Sequence, residues 1–243
     1  MERAMMSALR WLVRKSQVAM LPQDARSVLR DRLTYLSPEK ISRLTRAVDD
    51  VVDRQVPGDI LEFGVALGGS SVLLARRVSP ERQFHGFDVF GLIPPPNSAK
   101  DDAKSKERYQ VISSGQSIGI GGDGYYGYRH DLYESVSGTL ARFGRPVDGR
   151  SVFLHKGLFA ETWLRYARPQ VAFAHIDCDW YDPVELCLNA VLTRLAPGGI
   201  IALDDYHDYG GCRAATDEFL GAHPGVFAVD DGPNLILRRV QLR

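Results

Sequence analysis

Cysteine is scarce in this chain: Cys178, Cys187 and Cys212 are the three in 243 residues, and no two stand at CxxC spacing. An odd, scattered set excludes a disulfide framework and offers no thiolate zinc site, so a reducing cytosol is the expected compartment. Net charge is lacking too, because 30 Lys and Arg balance 30 Asp and Glu. That balance removes the basic excess of a phosphate-backbone binder, and nucleic acid is not an expected partner. No apolar run approaches the roughly 18 to 20 residues that a membrane span needs. The N-terminus mixes Met5, Met6, Leu9 and Trp11 with Arg3, Arg10, Arg14 and Lys15, without the compact apolar stretch and cleavage site of a secretory signal. The chain therefore reads as soluble and unprocessed.

What is present is ordinary globular composition, 44% hydrophobic and 25% charged, enough for one large core without staples. Residues 1–36 carry apolar positions at helical spacing among many basic ones and read as an N-terminal helical arm. Ser37-Pro38-Glu39 has the form of a cap with proline at the first helical position, opening an amphipathic helix to about Gln55. From Pro57 on, strands are expected at 59–63, 83–88, 150–154, 171–176, 199–203, 226–229 and 235–239, with helices at 70–78, 133–143, 184–195 and 212–220. Alternation of this kind predicts an α/β fold, a mainly parallel seven-stranded sheet with helices on both faces. The last two strands, joined across 230–233, form an antiparallel edge hairpin. Residues 37–243 are thus one catalytic-sized domain, interrupted by a polar, glycine-rich insertion at 91–130 that reads as a lid, with disorder as the alternative. Ligands in open sheets of this type sit at the carboxyl ends of the strands.

Two features stand at those ends. The stretch from Glu62 to Ser71 follows a strand and opens a helix, and its glycines permit a tight turn with backbone amides close to a ligand. Its spacing is G-x-x-x-G-G, not the dinucleotide G-x-G-x-x-G, and Glu62 just before it would repel a pyrophosphate yet pair with the cationic amino group of a methionine moiety. That favours S-adenosylmethionine over NAD. The next strand ends at Asp88, where a carboxylate can accept from both ribose hydroxyls. The second feature is carboxylate density in His175-Ile-Asp177-Cys-Asp179 and in Asp204-Asp205-Tyr206-His207. The two preceding strands should be neighbours, so Asp177, Asp204 and Asp205 can converge. Crowded carboxylates repel unless a cation neutralises them, and oxygen-only ligation suits Mg²⁺ first, then Mn²⁺ or Ca²⁺. A solvated acidic patch and a zinc site through His175, Cys178 and His207 are the weaker readings.

The motifs, in order, are the 62–71 turn, Phe87-Asp88, Lys156-Gly157-x-Phe159-x-x-Thr162, Ile176-Asp177-x-Asp179-x-Tyr181, and Leu195-x-Pro-Gly-Gly199 leading to Asp204-Asp205-Tyr206. Over about residues 38–220 they resemble the macrocin O-methyltransferase family, enzymes that methylate sugar hydroxyls of macrolides, aminocoumarins and related compounds. The resemblance implies a Rossmann-like class I methyltransferase fold, S-adenosylmethionine as donor and Mg²⁺ as metal. By motif it implies Asp177, Asp204 and Asp205 as metal ligands, Asp177 also as proton acceptor, and Glu62, Gly64, Ser70 and Asp88 as the cofactor site. Cys178 departs from the family's usual glycine, and residues 113–128 do not align. Together with the helical arm, the resemblance points to a homodimer or larger homo-oligomer. His207 is an alternative base, and the aromatics at 125, 126, 128, 180, 181 and 206 are candidates to stack on a saccharide. Two other functions fit the same residues: methylation of a catechol or other phenol, and a nucleotide-binding domain without turnover.

Overall fold

In the computed structural model the described residues are Val13 and 15–240, so the first part of the N-terminal arm lies outside them. Residues 15–20 are helical, and α1 (Gln23–Arg30) follows. Helix α2 (Pro38–Asp53) starts as its sequence dictates: the Ser37 side chain accepts from the backbone N–H of Lys40 at 3.2 Å, and proline occupies the first turn. Ile41, Leu44, Val48 and Val51 fall on one face at helical spacing and are fully buried.

Seven strands follow: β1 (Asp59–Phe63), β2 (Phe84–Asp88), β3 (Val152–Lys156), β4 (Val171–Ile176), β5 (Leu195–Leu203), β6 (Phe227–Asp230) and β7 (Leu235–Arg239). They make one sheet in the order β3-β2-β1-β4-β5-β7-β6. The first five are mutually parallel, and β7 runs antiparallel to both β5 and β6. The expected closing hairpin is present, with β7 rather than β6 joined to the parallel body. Strands β1, β2 and β4 are buried along their whole length, as a sheet covered on both faces requires.

Alternate residues serve opposite faces. Ile60, Phe84, Phe173 and Ile200 join the core beneath α1, α2, α3 (Gly69–Ala75) and α5 (Leu132–Arg142). Leu61, Phe63, Ala174 and Leu203 join the other core, against α6 (Phe159–Thr162), α7 (Tyr181–Leu192) and α8 (Gly210–Ala222). Each large apolar side chain so buried contributes ~1.5–3 kcal/mol, so the two layers rather than local propensity hold the sheet.

Several boundaries differ from expectation, three of them for evident local reasons. Helix α7 begins at Tyr181, ahead of Pro183, because a proline in the first turn displaces no intrahelical bond. Strand β5 begins at Leu195, passing through Pro197 and Gly198 with a register shift against β4. Strand β3 starts late because the Asp148 carboxylate accepts from the amides of Arg150, Ser151 and Val152 and folds them into a turn. The 91–130 insertion carries a helix of its own, α4 (Ala103–Ser113), and short 3₁₀ turns at Ile120–Gly122 and Tyr126–Tyr128. It is folded.

Candidate active site

A cavity of about 530 Å³ opens at the carboxyl ends of β1, β2, β4 and β5. At one side it is lined by Gly64, Val65, Ala66 and Ser70 from the turn after β1, and by Asp88 from the end of β2. Gly64 has φ +92°, and a Cβ there would lie 1.8 Å from the carbonyl oxygen of Asp177, so the turn and the acidic strand end pack backbone to backbone. The Asp88 carboxylate accepts from the amides of Val65 (2.8 Å), Ala66 (3.0 Å) and Phe90 (2.6 Å). Those bonds fix its orientation, although burial still pushes its pKa up.

Glu62 stands elsewhere. It is fully buried beneath the turn, accepts from the Ser71 hydroxyl and meets His175 Nδ1 at 3.0 Å, and it is not among the cavity-lining residues. Alternation along β1 explains this: Glu62 shares the face of Ile60, toward α2 and α3. His207 also stays outside the cavity. It is 38% exposed and faces Asp231 at 2.8 Å, next to the β6–β7 turn.

Asp177, at the end of β4, and Asp204 and Asp205, just past β5, come together. One carboxylate oxygen from each lies within 4.8 Å of the others. The cause is register: Ile176 pairs with Leu203, so the residues after these two strands emerge side by side. Burial, and then the neighbouring Asp204 and Asp205 charges, hold the Asp177 carboxyl well above the ordinary range. Asp205 is pushed up to about 6, again by burial first and Asp204 second. Asp179, with a left-handed φ of 60°, also lines the cavity, and its backbone N–H donates to Asp205 at 3.2 Å. The cluster's chemistry fits a hard divalent ion: all donors are carboxylate oxygens, and Asp204 Oδ1 is buried with no hydrogen-bond partner. Zinc through His175, Cys178 and His207 is not assembled. His175 is tied to Glu62, Cys178 packs in the apolar layer with Cys187, and His207 faces Asp231.

One cation already meets the acids. Lys40, in the first turn of α2, donates from Nζ to Asp204 Oδ2 (2.9 Å), to the Asp204 carbonyl (2.9 Å) and to Asp208 Oδ2 (2.8 Å). No local signal marks Lys40, because its partner is 164 residues away. The insertion forms the roof. Lys104 and Arg108 of α4 line the cavity together with Tyr125 and Tyr126, and Trp180 Nε1 donates to the Pro94 carbonyl at 2.9 Å. Asp101 and Asp102 dock the roof on the helices below. Asp101 accepts from the N–H of Tyr181 at the start of α7 (2.8 Å), and Asp102 from that of Gly210 at the start of α8 (2.9 Å).

Comparison with known proteins agrees with this architecture. The chain is 26% identical over 200 residues to the 8-demethyl-8-(2,3-dimethoxy-alpha-L-rhamnosyl)-tetracenomycin-C 4'-O-methyltransferase of Streptomyces olivaceus, covering 78% of this chain and 68% of that one. Among solved structures, the O-methyltransferase NovP superposes with a TM-score of 0.70 at 21% identity, over 86% of this chain and 83% of its own. An O-methyltransferase from Bacillus cereus, solved in complex with SAH, superposes with a TM-score of 0.59 at 15% identity, over 95% and 97%. Both share the class I methyltransferase fold. The Macrocin-O-methyltransferase (TylF) family model matches residues 15–121 and 127–226, nearly the whole described chain, and the protein therefore belongs to that family of O-methyltransferases.

Proposed function

We propose that the chain transfers a methyl group from S-adenosylmethionine to a sugar hydroxyl of a glycosylated small molecule, using a divalent ion, Mg²⁺ first, held by Asp177, Asp204 and Asp205. The observation that carries this is the convergence of three carboxylates, from two strand ends, on a cavity whose other wall is the Gly64 turn. The rhamnosyl group in the name of the Streptomyces olivaceus relative supports a sugar acceptor.

In this reading the turn amides and Ser70 receive the methionine end of the donor, and Asp88, fixed by three amides, receives the ribose. Glu62 acts through the turn, by holding Ser71 in the first turn of α3, and does not touch the donor. The ion, when bound, supplies positive charge that favours the ionised form of an acceptor hydroxyl. Asp177 accepts the hydroxyl proton as the oxygen takes the methyl; the sulfonium carbon–sulfur bond breaks and S-adenosylhomocysteine leaves. His207, outside the cavity, takes no part in that step. The 91–130 insertion serves as the lid, and Tyr125, Tyr126 and Trp180 keep water from the sulfonium.

The test is transfer of an isotope-labelled methyl group to a panel of rhamnosylated compounds and catechols, with Mg²⁺ or with EDTA. The expected result is methylated glycoside, lost in EDTA, and a kcat/KM at least about 100-fold lower in Asp204→Ala, more than loss of a ligand's supporting group usually costs. Undiminished transfer in EDTA contradicts the metal role, and preference for catechols contradicts the acceptor class.

A further inference from the structure

Lys40 has no place in the chemistry above, yet its ammonium is fully engaged at the site. Its side chain is 15% exposed, and its ammonium donates to three oxygens, two of them on Asp204. The bonded carboxylate oxygen is Oδ2, whereas Oδ1 of the same residue is buried and unpartnered. One oxygen of Asp204 is thus taken by a cation built into the fold, and the other is left for a second one.

We propose that Lys40 is the resident counter-ion of the metal site: it offsets part of the cluster's charge and holds Asp204 against Asp208, so the three carboxylates stand preformed before any ion arrives. The inference rests on the metal reading given above. A consequence follows from Coulomb's law. A fixed ammonium bonded to a ligating carboxylate repels an incoming dication, so Lys40 and the ion oppose one another, and each weakens the other's hold by the same factor. Lys40 gains order in the metal-free state and gives up metal affinity.

The experiment is Mn²⁺ titration by calorimetry on the full chain, without donor or acceptor, for wild type, Lys40→Met and Lys40→Arg. Lys40→Met keeps most of the stem and removes the charge. It should bind Mn²⁺ roughly tenfold or more tightly than wild type, the effect of one unit charge near a dication even with water-like screening. Lys40→Arg should match wild type within about threefold. Melting in EDTA gives an independent readout: Lys40→Met should melt below wild type, and the gap should close as Mn²⁺ is added. A merely packing role would leave the gap constant. Should Lys40→Met fail to fold, Lys40→Gln, which keeps hydrogen-bond donors toward Asp204 and Asp208 without the charge, should likewise bind Mn²⁺ several-fold more tightly than wild type; unchanged or weaker binding overturns the proposal. Wild type that binds Mn²⁺ with equal or weaker binding in Lys40→Met overturns the counter-ion role alone. Absence of binding in both overturns the metal reading and this inference with it.

Discussion

Gly64 shows how one residue can tie two strand ends into one site. Its φ of +92° and the Asp177 carbonyl directly over its α-carbon leave no room for a side chain. A Gly64→Ala variant must strain its backbone, at ~1–3 kcal/mol, and also push β1 and β4 apart where the glycine turn meets the acid cluster. The expected result is a melting temperature lower by roughly 5 °C or more and affinity for S-adenosylhomocysteine reduced about tenfold or more, read by thermal melts and calorimetry. Unchanged values for both would contradict the backbone packing described. The role of this glycine was readable from G-x-x-x-G-G after a strand, but its pressure against Asp177 was not, because β4 lies over 100 residues away. The same limit hid Lys40. Conversely, Glu62 stood out as a charge at a strand end, while the alternation that turns it inward is visible only once both faces of the sheet are known to be covered.

At the scale of elements, periodicity carried most of the fold. Strands β1, β4 and β7 match their expected bounds of 59–63, 171–176 and 235–239, since each is a short stretch centred on aliphatic or aromatic residues between polar or turn-forming segments. The insertion was harder to read: its helix α4 has little apolar patterning and is held by Asp102 at its N-cap and by docking onto α7 and α8. Strands β2 and β3 carry a pair whose behaviour could not be foreseen from spacing. His85 Nδ1 lies 3.0 Å from His155 Nε2, and the His85 ring stacks on Phe153 at 4.5 Å. Burial holds His85 down to about 3 and His155 to about 4. In the unfolded chain both take up protons near pH 6.5. Between about pH 6.5 and 4 the unfolded state therefore binds more protons than the native one, and stability falls as pH falls. From pH 7 to pH 5 each histidine should cost about 2 kcal/mol, so urea unfolding of His85→Phe should lose roughly that much less than wild type over this interval. Identical pH dependence in the two proteins would contradict the buried, neutral state of His85.

Over the whole molecule, a balanced net charge conceals a strongly uneven distribution. Asp88, Asp177, Asp179, Asp204, Asp205 and Asp208 all line one cavity, with Lys40, Lys104 and Arg108 set among them. Like charges gathered in a half-enclosed space destabilise a fold unless a cation repays them, so this gathering is hard to account for by packing. Parallel β4 and β5 deliver Asp177, Asp204 and Asp205, while the insertion closes the space above and the glycine turn after β1 lies beside them. No helix among the described residues is long and apolar enough to cross a membrane. The most direct measurement is anomalous diffraction from crystals soaked in Mn²⁺: a single strong peak in contact with carboxylate oxygens of Asp177, Asp204 and Asp205 is predicted, and a peak elsewhere, or none while these three side chains remain clustered, would contradict the metal site.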